Sequence, residues 1–173
     1  MNHKNPLVFA IHATSRGFGY VVFEGPFAPY DWGTVTVRGD KNAMSLHRIE
    51  KMFDRFTPET LVLEAYAGGK ARRGYRLSKL YKALVSMAAN RSIQVEVYTR
   101  GDIQACFANA GAATRQEIAE AVARTVTAFE HRKPKPRKAW QSEDRRMAMF
   151  CAAALVLTHY QRDASRLFED LMR

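Results

Sequence analysis

The sequence predicts an α/β fold in which a mixed five-stranded sheet is flanked by helices. Three short runs of apolar, β-branched and aromatic residues follow one another closely near the start of the chain. Two further runs of this kind alternate with patterns of amphipathic helix. Strands joined by short turns pair antiparallel and strands separated by a helix pair parallel, so both pairings are expected in one sheet.

The first three strands are predicted to form an antiparallel meander. Residues 7–11 are a continuous apolar run, which is typical of a buried strand. Residues 20–23 follow after a turn that contains glycine, and residues 32–37 alternate between polar and apolar types after a Gly/Pro break. The connections between these strands are too short to hold a crossover helix.

The rest of the chain alternates between helices and strands. Strands are expected over residues 60–64 and 93–98, and right-handed crossovers place both parallel to the first strand. The carboxyl ends of these three strands then meet at one edge of the sheet, where sites in such folds collect. The predicted helices cover residues 42–55, 75–90, 102–108, a helix opened by the capping box Thr114-Arg115-Gln116-Glu117, and a last long helix from Ser142 to about residue 161.

A single compact domain is expected over residues 1–161, followed by a C-terminal tail over residues 162–173. Of the 173 residues, 47% are hydrophobic and 25% are charged, which are ordinary globular values. No apolar run approaches the roughly 20 residues needed to cross a bilayer, and no secretory signal is expected. The two cysteines form no disulfide framework, so we expect a cytoplasmic protein.

The chain is strongly basic, with 27 Lys and Arg against 17 Asp and Glu and a formal net charge of +10. Excess positive charge attracts polyanions without determining the fold. Nucleic acid is the commonest partner of this kind and an anionic membrane surface the second. A basic protein with no particular partner is the third interpretation. We expect nucleic acid rather than membrane.

Two polar residues end strands that should be neighbours in the sheet. His12 follows the first buried strand, and Glu64 ends the strand over residues 60–64. A carboxylate at the end of an apolar strand is costly unless it is paired, hydrated or bound to a cation. An ion pair with Arg72 or Arg73 would also satisfy Glu64. A hydrogen-bonded turn histidine is the alternative interpretation of His12.

Asp144 lies near the start of the last predicted helix. It precedes Cys151 by seven residues, so both fall on nearly the same helix face. An acidic residue in the first turn of a helix also stabilises the helix dipole, and this is the alternative interpretation of Asp144.

The chain resembles the RuvC-type Holliday junction resolvases. Residues 10–20, Ala-Ile-His-Ala-Thr-Ser-Arg-Gly-Phe-Gly-Tyr, are similar to that family's first strand and turn, where Asp-Pro-Gly-Ser-Arg follows an apolar run. Residues 61–64, Leu-Val-Leu-Glu, resemble its strand that ends in a catalytic Glu, and residues 71–74 resemble the basic segment after it. Residues 147–159, ending in Leu-Thr-His, resemble the C-terminal helix that carries its acidic pair. The resemblance covers about residues 7–160 and rests on element order more than on identities.

The resemblance implies an RNase H-like fold and a site built from four carboxylates, one of which can be His. These ligands hold two divalent cations, which activate water and stabilise the leaving oxygen during phosphodiester cleavage. Magnesium prefers carboxylate and water oxygens, whereas imidazole and thiolate suit softer metals.

The resemblance assigns Glu64, His12 and Asp144 as the catalytic and metal-binding residues. Only Glu64 matches the family outright, because His12 stands at the position of the first-strand Asp. The acidic positions of the last helix fall on Ala148 and Cys151, and Asp144 is the candidate stand-in. We therefore expect weak binding of magnesium or manganese, or loss of both metal binding and catalysis.

Basic residues are predicted to contact nucleic acid near this edge of the sheet, and with them the aromatic residues Phe18, Tyr66 and Tyr75 could stack on unpaired bases. The run over residues 132–138 is equally compatible with a merely solvated segment. The predicted contacts are Arg16, Lys70, Arg72, Arg73, Arg76, Lys79, Arg115, Arg132, Lys133, Lys135, Arg137 and Lys138.

Three hypotheses about function follow. The first is a divergent, metal-dependent endodeoxyribonuclease that acts on branched DNA such as a Holliday junction. The second is a degenerate relative that binds DNA without cutting it. The third is an RNA-binding or assembly module in which the sheet is only a scaffold. The resemblance also implies a homodimer, because two strands of a junction are cut symmetrically.

Overall fold

The computed structural model describes residues 5–66 and 72–173, with the backbone alone at Arg72 and Arg73. The strands are β1 (Val8–Ala13), β2 (Gly17–Gly25), β3 (Ala28–Thr36), β4 (Thr60–Glu64) and β5 (Gln94–Tyr98). The helices are α1 (Lys41–Phe56), α2 (Arg72–Asn90), α3 (Arg100–Phe107), α4 (Arg115–Thr125) and α5 (Met147–Leu171).

The five strands form one mixed sheet in the order β3-β2-β1-β4-β5. The β1–β2 and β2–β3 pairs are antiparallel, which confirms the predicted meander. The β1–β4 and β4–β5 pairs are parallel, as the right-handed crossover rule predicts. Val8 pairs with Thr60 and Ala10 with Val62, so the same register brings the ends of β1 and β4 to one edge of the sheet.

The sheet separates two apolar cores, and alternate residues of β1 enter each of them. Val8 and Ala10 pack with α3, α4 and α5 on one face. Phe9 and Ile11 pack with α1 and α2 on the other. Because helices cover both faces of the sheet, β1 is a continuous apolar run. It lacks the alternation of polar and apolar residues that a strand with one solvent-exposed face shows.

Helix α5 lies directly on the sheet, and Gly19 in β2 allows this approach. A Cβ built on Gly19 would lie 2.2 Å from the carbonyl carbon of Ala148 and 2.4 Å from the backbone nitrogen of Met149. These are backbone atoms that no side-chain rotation can move away. Glycine is therefore required at position 19 for α5 to sit at its observed height.

The start of α5 differs from the prediction. The helix begins at Met147 and not at Ser142, and its N-cap, Arg146, makes no side-chain capping hydrogen bond. Asp144 therefore precedes the helix, and its carboxylate accepts a hydrogen bond from the backbone N–H of Arg146 at 3.0 Å. Such local side-chain to backbone bonds compete with helix formation, which explains the later start. The interpretation of Asp144 as a first-turn acid stabilising the helix dipole is wrong.

The end of α5 also differs, because the helix continues past residue 161 to Leu171. Ion pairs tie this part of the helix to α3 and β5. Arg162 lies 2.5 Å from Asp102, and Arg166 lies 4.0 Å from Glu96. The division into a domain over residues 1–161 and a tail stays a prediction. In the described part of the chain, none of the helices has the length and apolar character of a membrane span.

We expect Gly19→Ala to lower the free energy of unfolding by about 3 kcal/mol, because the added methyl group meets backbone atoms of α5. Urea denaturation followed by circular dichroism measures this change. Gly101→Ala is the matched control, since a Cβ there meets only Oγ1 of Thr99 at 3.6 Å, an ordinary contact. Equal stability of both variants would contradict the close packing of α5 on β2.

Candidate nucleic-acid interface

A groove of about 720 Å³ opens at the sheet edge where β1 and β4 end. Its walls are the turn after β1, the end of β3, the first turns of α2 and α4, and the segment that leads into α5. We call it the sheet-edge groove. It lies at the carboxyl ends of parallel strands, where the sequence predicts a site.

His12 and Glu64 meet in this groove. His12 Nδ1 lies 3.6 Å from Glu64 Oε2, and the two side chains are only 15% and 23% exposed. The distance exceeds that of a normal hydrogen bond, and in the described part of the chain the buried Nδ1 atom has no hydrogen-bond partner. The strand order therefore places the two predicted groups side by side.

The Glu64 carboxyl is held in its ionised form. Polar contact with His12 lowers the pKa of Glu64, and burial opposes this effect. The positive charges of Arg100 and Arg115 lower the pKa further. Glu64 is therefore a carboxylate at neutral pH, and its negative charge is compensated by side chains of the protein. The alternative partners Arg72 and Arg73 have side chains outside the described residues.

Asp144 lines the same groove, but its oxygens are occupied by Arg146. The guanidinium donates to Oδ2 at 2.6 Å and to Oδ1 at 3.0 Å, and the backbone N–H of Lys135 donates to Oδ2 at 3.3 Å. These hydrogen bonds, that of the Arg146 side chain first, lower the pKa of Asp144 to about 2. The Asp144 carboxylate thus serves as a hydrogen-bond acceptor for neighbouring groups in the segment before α5.

Ala148 and Cys151, the two helix positions that the resemblance assigns to acidic residues of the resolvases, offer no oxygen ligand. Ala148 lines the sheet-edge groove. Cys151 lines a narrow crevice beside it, together with Glu64, Arg100 and Arg115. Burial raises the pKa of Cys151 to about 12, so the group there is a neutral thiol.

The predicted three-residue metal site of His12, Glu64 and Asp144 is not assembled. Across residues 5–66 and 72–173, no three His, Cys, Asp or Glu side chains come together as a metal-binding cluster. The physical reason is that each acid already lies against a side chain of the protein. Glu64 faces the His12 ring, and Asp144 forms an ion pair with Arg146. The residues present do not fit a pair of magnesium or manganese ions, which need several free carboxylate oxygens.

The balance of charge in the sheet-edge groove is positive. Among the described residues that line it, three carry carboxylates and four carry guanidinium groups. Glu143, the third acid, lies 2.9 Å from Arg115. The guanidinium groups of Arg16 and Arg145 are exposed and make no ion pair with another described side chain. The arrangement suits an anionic ligand, because free guanidinium groups bind phosphate in a bidentate manner.

The predicted nucleic-acid contacts fall into separate groups. Arg16, Arg115 and Arg137 line the sheet-edge groove. Lys79 lies with its Nζ 4.6 Å from the ring centroid of Tyr75, on the outer side of α2. The exposed segment before α5 carries Arg132, Lys133, Lys135 and Lys138. Lys70 and the side chains of Arg72 and Arg73 lie outside the described residues.

The Arg76 side chain makes hydrogen bonds inside the fold. Its guanidinium donates to the Asn42 side chain at 3.0 Å and to the Thr14 carbonyl at 2.9 Å. The half-buried Arg76 therefore joins α2 to α1 and to the turn after β1, and its contact with nucleic acid stays a prediction. Phe18 is fully buried in the core, which excludes base stacking, whereas Tyr66 lines the groove and Tyr75 is exposed.

Sequence reasoning missed Arg145 and Trp140. Arg145 faces the groove because α5 starts late and leaves it in the preceding turn. Trp140 is the most exposed aromatic side chain among the described residues. The signal for Trp140 was its position directly after the basic run over residues 132–138, whereas Arg145 fell inside the predicted last helix and nothing in the sequence set it apart.

We expect Arg146→Met to raise the pKa of Asp144 from about 2 towards its ordinary value of 3.8, because the guanidinium is the main cause of the lowering. Since the folded-state pKa is lowered, the contact stabilises the fold above about pH 4, and this contribution is lost as the pH falls towards 2. Carbon-13 NMR of the Asp carboxyl groups follows the titration. Arg145→Met is the control and leaves the titration unchanged; the same pKa in both variants would contradict the Asp144–Arg146 contact.

Solved structures with a similar fold include two of one protein. Thermus thermophilus RuvC in complex with a Holliday junction substrate superposes with a TM-score of 0.67 at 18% sequence identity, covering 91% of this chain and 96% of that chain. A further structure of Thermus thermophilus RuvC gives a TM-score of 0.63 at 21% identity, with the same coverage. No protein-family model matches the sequence, and no curated protein matches it. The chain therefore has the RNase H-like fold of the RuvC Holliday junction resolvase structures.

Proposed function

We propose that this protein binds branched DNA in the sheet-edge groove and does not cut it by a metal-dependent reaction. The observation that supports the proposal is the charge in the groove. Its three acids each face a His or Arg of the protein, and Arg16 and Arg145 are left free. This is the second of the three hypotheses drawn from the sequence.

Binding would depend on the guanidinium groups that line the groove. Arg16 comes from the turn after β1, whereas Arg137 and Arg145 come from the segment before α5, so two separate segments bring positive charge to the groove. A DNA strand between them would place phosphates against both walls. Each phosphate neutralised releases a condensed counterion, which makes the affinity depend steeply on salt.

The proposed lack of cleavage follows from the same residues. In-line hydrolysis with two metal ions requires a cluster of hard oxygen ligands around the scissile phosphate. Glu64 is the one carboxylate at a position that matches the resolvases, and His12, Ala148 and Cys151 replace the others. The Arg115 side chain beside Glu64 and Cys151 supplies positive charge where the resolvases place cations.

Branched DNA is the proposed ligand because of the fold and the exposed aromatic residues. The similar Thermus thermophilus RuvC structure is in complex with a Holliday junction substrate. Tyr66 lines the groove of this chain, and Tyr75 is exposed at the start of α2. Exposed aromatic rings beside basic groups bind unpaired bases, and bases at a branch point are unstacked more readily than bases within a regular duplex.

A homodimer, the arrangement implied by the resemblance, is proposed on the β5 edge. A hollow of about 410 Å³ lies between α2 and β5. Val85 and Val97 line it and are 41% and 52% exposed. The leucines of α2, Leu77, Leu80 and Leu84, are buried in the core and take no part in this surface. The cytoplasmic location stays a prediction.

A labelled four-way junction tests the proposed function. We expect Arg16→Ala combined with Arg145→Ala to weaken binding about tenfold and to reduce the slope of log affinity against log salt by about 1.8, since each lost phosphate contact contributes about 0.9. Fluorescence anisotropy at several salt concentrations gives both quantities. Arg48→Ala combined with Arg124→Ala removes the same charge from exposed helix positions outside the groove and serves as the control.

Cleavage is measured on the same junction with magnesium or manganese. We expect binding without cleavage in the wild type and in Glu64→Gln alike, because the metal ligands are missing. Cutting by the wild type that is lost in Glu64→Gln would replace the proposal by the nuclease hypothesis. Equal effects of the two double Arg variants would contradict binding in the sheet-edge groove.

Metal binding can be measured independently through thermal stability. At about 10 mM magnesium or manganese we expect no change in the Tm of the wild type, because the groove lacks a set of metal ligands. A cation that bound the folded state would raise the Tm. His12→Asp combined with Cys151→Asp restores carboxylates at two positions; a Kd of about 1 mM would then add about 1.4 kcal/mol and raise Tm by about 4 °C.

The control for this measurement is His12→Asn combined with Cys151→Asn, which has the same shape without the charge. A metal-dependent rise in the wild-type Tm would contradict the absence of a ligand set in the groove. No rise in the Asp variant would contradict the correspondence of these two positions to the acidic residues of the resolvases.

A further inference from the structure

Trp140 is exposed to an unusual degree for its type. Its side chain is 78% exposed, although a tryptophan has more apolar surface to bury than any other residue. It lies in the segment between the 3₁₀ turn Thr127–Arg132 and α5. An exposed indole has an apolar face that a ligand can cover, which makes Trp140 a candidate contact residue.

The turn that presents Trp140 is held by hydrogen bonds from both sides. The backbone N–H of Lys138 donates to the Gln141 side chain at 3.0 Å, and the Gln141 N–H donates to the Lys138 carbonyl at 3.0 Å. Arg137 donates from Nη1 to the Gln141 carbonyl at 2.9 Å. The indole is therefore presented by a preformed turn, which reduces the entropy lost on binding.

A lysine lies against the indole and the turn borders the sheet-edge groove. Lys138 Nζ is 5.2 Å from the centroid of the Trp140 ring, which is within the range of a cation–π contact. Arg137 and Ser142, the residues on either side of the turn, both line the groove. The turn that carries Trp140 is therefore flanked by groove residues on both sides, and positive charge lies next to the indole ring.

We propose that Trp140 and Lys138 form a stacking platform for an unpaired base of a DNA strand that lies in the sheet-edge groove. The inference rests on the proposed function and adds to it the chemical feature that is recognised, a single unpaired nucleotide. The indole stacks on the base, and the Lys138 ammonium group lies close enough to attract a flanking phosphate. Stacking on an indole is tolerant of base type, so the platform recognises an unpaired base of any type and has no sequence preference.

The charge around Trp140 favours a polyanion over a protein partner. The neighbouring exposed residues Lys133, Lys135, Arg137 and Lys138 are all basic. An apolar protein surface would have to desolvate these charges, whereas phosphates on both sides of the stacked base would pair with them. Paired bases are excluded from the platform, because both of their faces are already stacked within the duplex.

Tryptophan fluorescence tests the platform directly. The chain has two tryptophans, and Trp32 is packed inside with its ring centroid 5.2 Å from that of Phe129. Trp32→Phe therefore leaves Trp140 as the single reporter. We expect an oligodeoxythymidine strand and a four-way junction with an unpaired base at its centre to quench the emission, and a fully paired duplex of the same length to leave it unchanged.

Affinities of Trp140 variants complete the experiment. We expect Trp140→Ala to weaken binding of the single strand about tenfold, Trp140→Phe to retain most of the affinity, and both to bind the duplex as the wild type does. Phe27→Ala, at another exposed ring that does not line the sheet-edge groove, is the matched control. Because Trp140 is exposed, the variants keep their fold, and circular dichroism checks this.

The outcomes separate the platform from the function on which it rests. If the wild type binds junction and single strand but Trp140→Ala binds them equally well, the platform is wrong and the groove proposal stands. If the wild type binds none of the DNA molecules, both are overturned. Quenching by the duplex as strong as by the single strand, or quenching by an RNA strand alone, also overturns the assignment to an unpaired DNA base.

Discussion

The direct contact between α5 and β2 is the constraint on which the rest of the site depends. Gly19 has no side chain, so the backbone at Ala148 rests on the sheet. This contact sets the position of the first turn of α5 above the ends of β1 and β4, and with it the shape of the sheet-edge groove. It also explains why α5 is buried on nearly every side up to His159, since the sheet, α3 and α4 surround that part of the helix.

The fold could be predicted from the sequence because its signals are local and repeat with regular periods. Continuous apolar runs mark the strands that helices cover on both sides, and the capping box at Thr114 marks the start of α4, where the structure confirms it. The start of α5 could not be predicted in the same way. Its position depends on whether the Asp144 carboxylate accepts a hydrogen bond from the backbone N–H of Arg146 or the helix extends by another turn. The same residues are compatible with both arrangements.

The candidate site could be predicted only in part, and for a related reason. Strand order alone brings His12 next to Glu64, because parallel strands in register end together. Whether a charged side chain faces a ligand or another part of the protein is a question of tertiary contact. Arg76 is used between helices and Arg145 faces the groove, yet both are exposed arginines by sequence pattern.

The internal pairing of the acids has a consequence for the role of divalent cations. A cluster of free carboxylates repels the DNA backbone, and divalent cations that enter the cluster remove this repulsion. In this chain the compensating charge is built into the polypeptide through Arg100, Arg115 and Arg146. If the protein binds DNA as proposed, magnesium would compete with the guanidinium groups for the phosphates. The protein would hold its ligand most firmly where the free cation concentration is lowest, the reverse of a metal-loaded nuclease.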